Sequence, residues 1–196
     1  MRYKADITAG SLKVPESRII ADLLLRGVNK QQLKEAVLRG NPLQARSSAT
    51  TIRLCRLIRK RLEYMKSDLW RLLRDGTGTV AIHAVLSAAV KHSPHLGDFL
   101  DLVVRAQYRV FNTVLWNKHW DEHLDDCRRR DPDMPIWKEA TRKRLRSSVF
   151  QILAQAGYIE NTRSKKLQHV HIASQVLNYL EKNSEKYVLR CIQVTP

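Results

Sequence analysis

Apolar positions along the chain recur mostly three or four residues apart, the period of a helix with one face buried. Pro15 and Glu16 open a segment with Ile19, Ile20, Leu23 and Leu24 at that spacing, and Gly27 closes it. Asn29 is placed to cap a second helix, Lys30–Arg39, which turns Leu33, Ala36 and Val37 inward and stops at Gly40. Asn41-Pro42 marks a turn, and Ser47 or Ser48 can cap a third helix running to about Met65. A fourth begins at Ser67 or Asp68 and breaks at Gly76-Thr-Gly78. Val80–Val90 is apolar nearly all round and reads as a buried helix. Asp98–Arg128 reads as one long helical stretch with Leu102, Val103, Tyr108 or Phe111, and Leu115 on one side. Asp131–Pro135 is the best linker. Lys138–Ala156 is a further helix, ended by Gly157. Two short alternating runs, Tyr158–Glu160 and His169–Ile172, then flank the basic turn NTRSKKLQ. Helix, strand, basic turn, strand is the order of a winged helix, and Ser174–Asn183 adds a last helix.

The third helix carries two faces. Leu54, Ile58, Leu62 and Met65 form a core stripe, whereas Arg53, Arg56 and Lys60, with Arg59 near them, share another face. Arg46, Ser47, Ser48 and Thr50 lie at its N-terminal end. In a helix-turn-helix protein that end of the recognition helix meets base edges, and its free N–H groups attract phosphate. Ala36 and Gly40 have the A-x3-G spacing of such a motif, although the turn Gly40–Arg46 is longer than its usual three or four residues. The plainer reading is a solvated basic face.

Charge distribution sharpens the contrast. The 196 residues carry a formal charge of +16. Residues 1–66 hold 15 Lys and Arg against 5 Asp and Glu, residues 67–127 hold 6 against 8, and residues 128–196 hold 14 against 6. The excess therefore sits on the two flanks, as expected if both meet one polyanion. On the C-terminal flank, Arg142, Lys143 and Arg146 on the helix, with Arg163, Lys165 and Lys166 in the turn, form a second candidate nucleic-acid surface. Few aromatic residues accompany these blocks, which favours duplex backbone contact over stacking on single-stranded bases.

Other chemistry has little support. The stretch His119-Trp-Asp-Glu-His123 matches H-x-x-E-H, and Cys127 follows on the same helix face. In a polar helix end rich in acids it reads as solvent-facing, so no metal site is expected. No Ser-His-Asp or Cys-His arrangement stands out, and Gly76-Thr-Gly78 lacks the residues of a phosphate-binding loop. The chain is read as a non-enzyme with no cofactor and no small-molecule substrate. Three scattered cysteines fit a reducing cytoplasm. No apolar run approaches the roughly 20 residues of a membrane span; a polybasic surface could touch anionic lipid, but no paired lipid anchor or Trp/Phe-tipped basic helix accompanies it, so no membrane partner is expected.

Three stretches carry a family resemblance: YKADITAGSLKVPESRIIADLLLRG at the start, RSSATTIRLCRLIRKRL in the third helix, and AGYIE late in the chain. Over nearly the full length the sequence resembles BrxA, the small helical protein of bacteriophage-exclusion (BREX) defence operons. The resemblance implies an all-helical protein with helix-turn-helix features, a likeness to the antitermination factor NusB, and double-stranded DNA binding. It also implies a role in phage defence alongside a methyltransferase and an ATPase, with other BREX proteins as partners. The expected fold is mainly α: an N-terminal helix-turn-helix region (1–66), a helical centre (67–130) and a C-terminal winged-helix-like region with a short β-hairpin (131–196). The expected function is non-catalytic double-stranded DNA binding. Two alternatives stand beside it, an assembly protein docking acidic partners and a NusB-like RNA binder.

Overall fold

The computed structural model describes residues 2–8 and 11–194, and they are mainly helical. Three helices open the fold: α1 (Val14–Leu25), α2 (Lys30–Leu38) and α3 (Ser48–Glu63). Each starts where the local chemistry says it should. Pro15 stands in the first turn of α1. Asn29 accepts from the backbone N–H groups of Gln31 and Gln32 and completes a capping box with the Gln32 side chain. Ser47 accepts from the Thr50 N–H at the start of α3.

The next two helices build the centre. Helix α4 (Ser67–Asp75) packs on α1 and α5. Helix α5 (Gly78–His92) also meets α1 and α3. Its residues Val80, Ala81 and His83–Val90 are all buried, as an all-round apolar sequence requires. Small side chains at Ala81, Ala84, Ala88 and Ala89 let neighbours approach closely. The two polar residues inside that run are both satisfied: Ser87 donates to the His83 carbonyl, and His83 Nδ1 accepts from the distant Ala173 N–H at 3.0 Å.

The expected helix Asp98–Arg128 is not continuous. After α6 (Pro94–Asp98), Phe99–Val104 forms a π-helical turn, α7 (Arg105–Arg109) follows, and Val110–Trp116 leaves the helical path before α8 (Asn117–Arg130). The reason is a long-range pairing. The Leu115 N–H donates to the Lys165 carbonyl and the Leu167 N–H donates to the Thr113 carbonyl, which fixes residues 113–115 in an extended path. Leu102 and Phe111 face solvent, and only Tyr108 and Leu115 of the expected stripe are buried.

Helix α9 (Glu139–Gln155) packs against α8 and ends at Gly157, whose φ of +85° suits a residue without Cβ. The expected β-hairpin is absent. Tyr158–Glu160 and residues 166–168 share only two backbone hydrogen bonds and an isolated Ile159–Leu167 bridge. Residues 169–172 pair with no strand among the described residues, because the chain there runs on towards α10 (Ser174–Lys182). A helix not foreseen, α11 (Lys186–Ile192), follows and buries Val188, Cys191 and Ile192. The loop Asp131–Pro135 is tied to the body: Met134 is buried, and Asp131 accepts from the backbone N–H groups of Arg2 and Tyr3.

Asp98 connects the ends of the chain. Its carboxylate, almost fully buried, accepts from Arg2, from the Tyr3 hydroxyl at 2.6 Å and from the Tyr187 hydroxyl at 2.8 Å, with Arg130 at 3.6 Å. A first segment, a central helix and α11 thus share one anion.

Candidate nucleic-acid interface

Helix α3 is anchored by its apolar stripe. Leu54, Ile58, Leu62 and Met65 are all buried, which turns Arg53, Arg56 and Lys60 outward. None of these three cations has a carboxylate within ion-pair distance among the described residues. Arg59 differs, since its Nε lies 2.6 Å from Glu63. Arg61 belongs to neither group. It is buried, donates to the Ser11 carbonyl, and leaves Nε and one terminal nitrogen without a partner.

The N-terminal end of α3 is exposed at Arg46, Ser47 and Ser48. The hydroxyls there are only partly free. Ser47 is engaged as the cap and also contacts the Thr50 hydroxyl at 3.0 Å. Thr51 is buried and donates to the Ser47 carbonyl and to Asn41. Asn41 in turn clasps the Ala45 backbone in both directions, holding the turn before α3. A groove of about 600 Å³ runs between α2 and α3 and brings Lys30 and Lys34 alongside Arg56 and Arg59. The two α2 lysines were not singled out in the sequence, although their i, i+4 spacing was visible there.

The second basic surface is different in kind. Arg142 lies 3.2 Å from Asp125 and Arg146 lies 2.7 Å from Asp121, so α9 is ion-paired to α8. Lys143 pairs loosely with Glu139. Only Arg146 and Lys165 of the candidate set line a common cleft, of about 560 Å³, with Ser147, Phe150 and Thr162. Lys165 Nζ sits over the Phe150 ring, while Arg163 and Lys166 are exposed beside it. Helix α3 packs against α1, α2 and α5 and α9 against α8, so the two surfaces rest on separate supports.

The solvent-facing reading of His119, His123 and Cys127 needs correction. Helix α8 directs His123 and Cys127 inward, both buried, because the same face carries Trp120 and Leu124 into the core. His119 stays apart, accepting from the Trp116 N–H at 3.2 Å. Its place is taken by His95 from α6, and one donor atom from each of His95, His123 and Cys127 lies within 4.8 Å of the others. Nothing in the sequence places His95 there. No helix is long and apolar enough to cross a membrane among the described residues.

Comparison with known proteins agrees with this fold. A crystal structure of a protein from Magnetospirillum magneticum superposes over the whole of both chains with a TM-score of 0.93 at 50% identity. The "BREX protein BrxA" of Paramagnetospirillum magneticum is 52% identical over 194 residues, 99% of this chain and 98% of the relative. That of Escherichia coli O9:H4 is 28% identical over 188 residues, 96% and 88% of the two chains. The BrxA family model matches residues 1–184. With a match of that length and a relative that close, the chain belongs to the BrxA family of BREX defence proteins.

Proposed function

We propose that the protein is a non-catalytic double-stranded DNA-binding component of a BREX defence system. Phosphate contacts from α3 carry the binding, with α9 and the 161–166 turn as a second contact. The observation behind this reading is the unpaired state of Arg53, Arg56 and Lys60 on a helix whose other face is locked in the core. Cations without intramolecular partners keep their full attraction for an external polyanion, and a helix anchored by packing presents them without further ordering. The N-terminal end of α3, with Arg46, Ser47, Ser48 and Thr50, is then the part nearest the groove, as in a helix-turn-helix protein. The other proteins of the BREX system are the expected protein partners.

Gel-shift titration of the purified protein with a duplex of about 30 base pairs tests the reading. With about six phosphates contacted, log K should fall against log salt with a slope of about −5. Reversing charge at Arg53, Arg56 and Lys60 should flatten that slope to about −2 or −3. Reversal at Arg142, Arg146, Lys165 and Lys166 should flatten it as well if both surfaces engage one duplex. Competition by structured RNA or by an acidic polypeptide that exceeds duplex DNA would instead support RNA binding or the docking of an acidic partner.

A further inference from the structure

We propose that His95, His123 and Cys127 bind one zinc ion per chain, at the meeting of α6 and α8.

The three side chains come from two elements and converge in the interior. His95 and Cys127 have no solvent exposure and His123 is 1% exposed. Cys127 Sγ lies 3.3 Å from His123 Nε2, close to the separation of two ligands on one tetrahedral ion. His95 supplies the observation that most needs a ligand: neither of its ring nitrogens has a hydrogen-bond partner. A neutral imidazole carries one N–H and one lone pair, and burying both unmatched is unfavourable. Ring contacts with Tyr3 at 4.7 Å and Trp137 at 5.2 Å hold the His95 ring in place but satisfy neither nitrogen.

The surroundings are arranged as the second layer of a metal site. Phe99 and Trp120 pack against the His123 ring at 5.3 and 5.4 Å and fix its orientation. Arg130 reaches Cys127 Sγ at 3.5 Å, where it can donate to a thiolate. Asp98 places a carboxylate near both imidazoles, but its oxygens are already engaged with Arg2, Tyr3 and Tyr187, so it acts through charge and not as a ligand. Two imidazoles and one thiolate are borderline-soft donors, which suit zinc and are wrong for calcium or magnesium, whose sites are built from oxygen. Bond lengths of about 2.0–2.3 Å require the donor atoms to draw in from their present spread by about 1 Å, and a water completes the tetrahedron.

Cobalt(II), which takes the same tetrahedral geometry, provides the probe. Full-length protein treated with chelator and titrated with Co²⁺ should develop visible ligand-field bands and a near-ultraviolet thiolate-to-cobalt band, saturating at one ion per chain. Zinc should displace it and raise the melting temperature. Cys127→Ser should abolish the thiolate band, His95→Gln should weaken binding at least tenfold, and Cys55→Ser should change neither. Folded wild-type protein that takes up no stoichiometric Co²⁺ or Zn²⁺ overturns the proposal, whatever the variants do. So does a thiolate band that survives Cys127→Ser.

Discussion

The Tyr3 hydroxyl donates to the Asp98 carboxylate at 2.6 Å across 95 positions of chain. That bond, with those from Arg2 and Tyr187, makes Asp98 the point at which the first residues, the centre and α11 are held together. Removing the anion leaves several donors without an acceptor in a buried site. Asp98→Ala should therefore lower the unfolding free energy by about 3–5 kcal/mol, and Tyr3→Phe by only about 1–2 kcal/mol. Urea titration of the two variants measures both. An equal loss in the two would mean that the hydroxyl, not the carboxylate, organises the junction.

Asp121 and Asp125 neutralise Arg146 and Arg142 across the α8–α9 contact. A phosphate that uses these arginines has to compete with those carboxylates. Asp121→Asn with Asp125→Asn should raise duplex affinity by about two- to fivefold, the worth of partly exposed ion pairs of about 0.4–1 kcal/mol, and steepen the salt slope. Fluorescence anisotropy against one labelled duplex reads both quantities. Unchanged affinity would confine DNA contact to α3.

His92 closes α5 beside Lys60 and the buried Arg61. Burial, and then those two cations, hold its pKa down to about 4. The unfolded chain takes a proton near pH 6.5 and the folded one does not. Its contribution to stability is therefore complete above pH 6.5 and is lost as pH falls towards 4. His92→Asn should remove up to about 2–3 kcal/mol of that acid sensitivity. Asp6, in the same cleft, is raised to about 6 by burial and has the opposite sign, but it is common to both proteins. Parallel denaturation series at pH 7, 5.5 and 4 isolate the difference; identical curves would assign the acid response to other groups.

The helices with strong periodicity, α1 to α5, α9 and α10, stand close to where the sequence sets them. What the sequence did not contain was long-range. The break at Val110–Trp116 comes from backbone pairing with residues 165–167, which no local propensity encodes. For the candidate site, exposure of Arg53, Arg56 and Lys60 followed from the stripe opposite them. The ion pairs of Arg142 and Arg146 did not, because they depend on how α8 lies on α9. His123 and Cys127 stand at i, i+4, but in a stretch crowded with acids that spacing does not say which face turns to the core. Charged neighbours on the other side of a helix say nothing about the side that packs.

The π-helical turn Phe99–Val104 amounts to one surplus residue in an otherwise α-helical path. One residue is about 100° of rotation, so the turn sets the angular phase of everything after it. Before it, Asp98 faces the chain termini. After it, Arg105 reaches the carbonyls at the end of α11 and Tyr108 reaches those of Tyr158 and Gln168. With that offset the chain meets both sets of partners. A single-residue deletion between 99 and 104 would keep almost every side chain yet aim the downstream half at the wrong neighbours. At this point of the fold, chain length matters more than residue identity.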